Sequence, residues 1–151
     1  MRYVSGATLI LACAMMLGLP AWSQAQGSTA AVKAELKTAL FHAGELAQKA
    51  SAMSAVQLHT QHTINCLEGP KGMQFKAAAG YPCQGQGNGI IPDLQAAVAS
   101  GAPGAQTALK DATTALDLAL QVQAQSDVAQ AQPWLKVVAR YLQEASDALG
   151  M

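Results

Sequence analysis

Three residues on one stretch of chain carry the clearest chemical signal: His59, His62 and Cys66. On an α-helix the positions i, i+3 and i+7 share a face, so two imidazoles and a thiol would point the same way. Neutral imidazole is a good ligand for zinc, copper and nickel. Imidazoles one turn apart can grip a single ion, but a complete shell needs further donors. Glu68, Met73 and Asp93 follow in the chain as candidates. Met53 and Met73 add soft sulfur, which suits copper. If Cys66 and Cys83 were both thiolates, they and the two histidines would form a tetrahedral Cys2His2 zinc shell. Copper or zinc at a His59–His62 face is the candidate cofactor.

The state of the cysteines depends on where the chain works. Arg2 precedes an apolar stretch from Ala7 to Leu19, Pro20 ends it, and Ser23-Gln24-Ala25 places small residues where a signal peptidase cuts. This is the layout of a secretory signal peptide. The stretch is shorter than the ~20 residues of a membrane span. Cleavage is predicted after Ala25, leaving residues 26–151 as one domain in the periplasm or outside the cell. Cys13 leaves with the leader. The remaining pair, Cys66 and Cys83, reads as a disulfide in an oxidising compartment. Such a bridge, closing about 16 residues, stabilises a fold by about 3 kcal/mol. It also removes both thiolates from the metal shell and draws the intervening segment over the histidine face.

The elements that position these groups are helices. The chain is rich in alanine and glutamine, and no stretch alternates polar and apolar long enough for a sheet. A first helix is expected from about Ser28 to Leu67. Val32, Leu36, Ala39, Leu40, Ala43, Leu46, Ala47, Ala50 and Met53 make its apolar stripe. On that wheel His59, His62, Cys66 and Phe41 lie away from the stripe. A helix of some 40 residues would run about 60 Å, so a kink or break is expected, with Gly44 its weak point. Were it continuous, His42 would stand about 25 Å along the axis from His59 and could not join the site.

An irregular segment follows over about 68–92, marked by Gly69-Pro70, Gly80, Pro82 and Gly85-Gln86-Gly87-Asn88-Gly89. A short helix is expected from Asp93, as N-cap, to about Ser100. Another spans about 105–129, with Leu109, Ala112, Leu116, Ala119 and Leu120 inward. Pro133 is expected to open the last helix, with Leu135, Val138, Ala139, Leu142, Ala145 and Leu149 inward. The fold class is all-α. The expectation is an antiparallel bundle of three long helices and one short, or four long if the first breaks, with a disulfide-tethered Gly/Pro-rich loop.

Charge excludes some functions. Nine basic residues balance nine acidic ones, so no basic surface is free for nucleic acid. The chain has no G-x-S-x-G, H-E-x-x-H or Walker motif, and a disulfide would remove Cys66 as a nucleophile. The expectation is a non-catalytic binding or accessory protein. Without metal, the bundle would be structural or would bind a protein partner, with Phe75 and Tyr81 as contact residues. Non-covalent haem is the lesser alternative, because every histidine lies on one predicted helix.

Overall fold

The structure, a computed structural model, describes residues 21–151, with side chains from residue 29 onward. Most of the expected signal peptide lies outside the described residues. The predicted cut between Ala25 and Gln26 falls near the start of the first helix. Every regular element among the described residues is helical. Helix α1 (Ala21–Leu40) runs directly into a π-helical segment (Phe41–Ala47), and α2 follows (Met53–Glu68). A 3-10 turn (Ala77–Ala79) lies in the irregular segment. Helices α3 (Ile90–Ala99), α4 (Ala105–Gln123) and α5 (Val128–Ala148) complete the chain. The bundle is therefore all-α with four long helices and one short, as expected where the first helix breaks.

The break falls after the π-helical segment, not at Gly44. Gly44 lies inside that segment, which extends to Ala47, and Ala52 adopts an extended conformation (φ −115°, ψ 135°) before α2 begins. One straight rod could bury only one line of contacts. Folding back lets α2 pack against both α1 and the π-helical segment. The helical wheel cannot be carried across such a reversal. Cys66, drawn opposite the stripe on a continuous helix, is fully buried together with Ile64 and Leu67.

Alanine sets the packing distance. In α4 the centre of the buried face is Ala108, Ala112, Ala115, Ala119 and Val122, while Leu109, Leu116 and Leu120 are only partly buried. Small side chains let helix axes approach closely, and the leucines then flank the seam. Its main partner is α5, which buries Ala131, Leu135, Val138, Leu142 and Ala145. The two are antiparallel, because the Gly104 backbone at the start of α4 abuts the Ala148 carbonyl at the end of α5. At the other end of α4, Gln123 Nε2 donates to the Gln57 carbonyl oxygen of α2 (2.7 Å).

Three helix ends differ from expectation. Helix α3 starts at Ile90, so Asp93 lies within its first turn and not at its cap. Helix α4 stops at Gln123. Helix α5 starts at Val128, five residues before Pro133, because Asp127 caps it by accepting from the backbone N–H groups of Ala129 (2.7 Å) and Gln130 (3.3 Å). Pro133 thus lies inside α5, where it removes one ladder bond. Asp127→Ala is expected to lower stability by about 1 kcal/mol, read from chemical denaturation at neutral pH. An unchanged midpoint would show that the cap does not determine where α5 starts.

The Cys66–Cys83 disulfide is present, with a Cα–Cα distance of 5.3 Å. The irregular segment closes on itself where the backbones of Gly69 and Gly89 meet, both at positive φ (69° and 118°). A Cβ on Gly69 would stand 1.7 Å from the Asn88 carbonyl oxygen. Only glycine fits such a crossing.

A candidate metal centre of three histidines

The reversal after Ala47 brings the π-helical segment alongside α2, and with it His42 to His59 and His62. His42 Nδ1 lies 3.3 Å from His59 Nδ1 and 3.2 Å from His62 Nδ1. One nitrogen from each ring lies within 4.8 Å of the other two, and all three residues are half-buried. The exclusion of His42 is thus corrected: it assumed one continuous helix, and the chain turns back instead. Placement on a π-helical turn is consistent with the frequent appearance of such turns at functional sites.

Hydrogen bonding restricts the protons in this group. His62 Nε2 lies 2.6 Å from the Ala79 carbonyl oxygen. A carbonyl only accepts, so Nε2 carries the proton and His62 Nδ1 of the neutral ring presents a lone pair. His42 Nδ1 can be donor or acceptor, not both. Hence only one of the two short N···N contacts can be a hydrogen bond. The other brings two like-directed groups together, an arrangement that a shared cation would relieve. The two separations from His42 suit such an ion: tetrahedral zinc with Zn–N bonds of about 2.0–2.1 Å holds its ligands roughly 3.3 Å apart.

His42 and His59 resist protonation. Burial, then the neighbouring His62 and His59, push the His42 pKa down to about 4. His59 is also lowered, first by burial and then by His62. In the unfolded chain His42 would take up a proton near its ordinary value of 6.5. The folded state therefore binds fewer protons between about 4 and 6.5, and acid in that window favours unfolding. An NMR titration is expected to find the His42 ring neutral at pH 5.5. A His42 midpoint near 6.5 would contradict the packed geometry.

The remaining sequence-nominated residues are placed elsewhere. Glu68 Oε2 accepts from the Gln74 backbone N–H (2.6 Å), and Glu68 lines a shallow depression with Lys71, Gly72, Ile91, Pro92 and Leu116. Asp93 accepts from the backbone and side-chain amides of Asn88 (both 2.9 Å). Neither belongs to the histidine group. Met73 is 92% exposed on the irregular segment. Phe75 and Tyr81 pack edge to face, with centroids 5.4 Å apart. Glu45, close to His42 in sequence, pairs with Lys49. Phe41 touches the His42 ring and is 52% exposed.

A haem held between two of these histidines does not suit this group. Its axial ligands must approach from opposite faces of the porphyrin, and rings with nitrogens 3.2 and 3.3 Å apart leave no room for a macrocycle between them.

A second buried group escaped the sequence reading. Glu35 is fully buried within the Val32–Leu36 stripe, and its Oε1 accepts from the Gly89 backbone N–H (2.8 Å). Glu35 Oε2 and the Tyr81 hydroxyl are buried and interact with each other, but neither makes a well-formed hydrogen bond. Burial raises the Glu35 pKa to about 7; the Gly89 amide opposes the shift and Asp93 adds to it. Tyr81 is pushed up to about 12 by burial and by the two carboxyl groups. A charged residue at i+3 within an apolar stripe was the available signal.

No family model matches this chain, and neither do any curated proteins or solved structures.

Proposed function

We propose that this is an exported, non-catalytic protein that binds one zinc or copper ion through His42, His59 and His62. The observation that carries the reading is the convergence of three imidazole nitrogens within 4.8 Å, on two segments that reverse direction to meet. An all-nitrogen donor set favours zinc and copper over calcium and magnesium, which take oxygen ligands. Export is supported by the leader-like N-terminus and fits the disulfide. No helix among the described residues is long and apolar enough to cross a membrane.

The test is native mass spectrometry with calorimetric titration of purified protein. One equivalent of zinc or copper is expected, with calcium and magnesium failing to bind. Equal uptake of all four ions, or uptake of none, would end the reading.

A further inference from the structure

We infer that the disulfide-tethered loop is the outer shell of the metal centre, with Asn65 as its positioning residue. This rests on the metal reading above, and adds that the loop sets the His62 tautomer and aim.

The geometry runs through one short turn. The Ala77–Ala79 turn supplies the carbonyl that accepts from His62 Nε2 (2.6 Å). Fully buried Asn65 grips both ends of that turn. Its Oδ1 accepts from Lys76 N (2.9 Å), and its Nδ2 donates to the carbonyl oxygens of Lys76 (2.9 Å) and Gly80 (2.6 Å). Gln61 Nε2 donates to Asn65 Oδ1 (3.0 Å) and to the Gln74 carbonyl (2.8 Å). Cys66 then pins the chain just beyond the turn through Cys83. Four neighbouring residues of α2, Gln61, His62, Asn65 and Cys66, thus engage one loop, and His62 is the one that also reaches the histidine group. Metal-bound histidines commonly donate their second ring N–H to a fixed acceptor, which selects the tautomer and raises ligand basicity. Ala79 provides that acceptor here, and Asn65 holds it in place. The loop thereby directs Nδ1, and not Nε2, at the ion.

Two variants test this: Asn65→Asp, which replaces two donations with a carboxylate facing carbonyls, and the Cys66→Ser/Cys83→Ser double variant. Zinc affinity is measured alongside the visible spectrum of the cobalt-substituted protein. Long-range nitrogen NMR of the metal-free protein reports the His62 tautomer. Both variants are expected to bind zinc about 10–100-fold more weakly and to change the cobalt spectrum, with helical content retained. Wild type is expected to show His62 protonated at Nε2, and each variant a mixture of tautomers. Wild-type affinity, spectrum and tautomer in a folded variant would overturn the inference. If one variant fails to fold, the other decides. If wild-type protein takes no metal, the metal reading fails on its own, and the tautomer comparison still shows whether the loop aims His62.

Discussion

Replacing His42 with alanine is expected to weaken zinc binding by roughly 100-fold. Structural zinc sites in small peptides bind with about 10–16 kcal/mol, shared among four ligands, so one ligand is worth about 3 kcal/mol. At about 1.4 kcal/mol per factor of ten, that is roughly two orders of magnitude. The substitution separates two descriptions of the site. If the ion were held by the i, i+3 pair on α2 alone, His42→Ala would change little. If the reversal after Ala47 builds the site, His42→Ala, His59→Ala and His62→Ala should each cause a comparable loss. Calorimetric titration with zinc, checked against far-ultraviolet circular dichroism for retained helix, supplies the measurement. Wild-type affinity in folded His42→Ala protein would remove the three-histidine centre.

Glu35→Gln is expected to stabilise the protein above neutral pH and to do little in acid. The folded Glu35 carboxyl titrates at about 7, against an ordinary value of 4.5, because burial penalises its charge. Between those limits the native state holds a proton that the unfolded chain has released. The Glu35 contribution to stability is therefore greatest below about 4.5, falls as pH rises towards 7, and is flat above. The full effect is about 3 kcal/mol at most, from about 1.4 kcal/mol per pKa unit. Glutamine keeps an oxygen for the Gly89 amide and offers an N–H towards the Tyr81 oxygen, and it does not titrate. Urea denaturation of both proteins at pH 4 and pH 8 gives the comparison. The difference between them isolates Glu35 from His42 and His59, whose lowered pKa values act in the opposite direction. Parallel profiles would show that Glu35 is not held neutral by the fold.

Periodicity made much of the fold legible. The stripes Val32–Leu36–Ala39–Ala43–Ala47 and Leu135–Val138–Leu142–Ala145 are buried as spaced, because one face of a helix must leave water wherever the helix packs. Parity of the cysteines pointed to the bridge that is found. Legibility failed where competing local effects were close in energy. Pro133 is compatible with a helix start, but an aspartate cap six residues earlier satisfies free N–H groups that proline does not. In α4, spacing did not separate alanine from leucine as the centre of the face, since that depends on how near α5 comes.

The sequence by itself determined the helices, the pairing of Cys66 with Cys83, and two of the three histidines. These follow from local repeat geometry and from counting. Only the tertiary structure decided that His42 joins them and that burial raises the Glu35 carboxyl to about 7 beside Tyr81 and Asp93. Both depend on the reversal between Ala47 and Met53, where a helix that could have continued turns back so that two apolar faces bury each other. That gain is a property of the packed bundle, and no local pattern of residues records it.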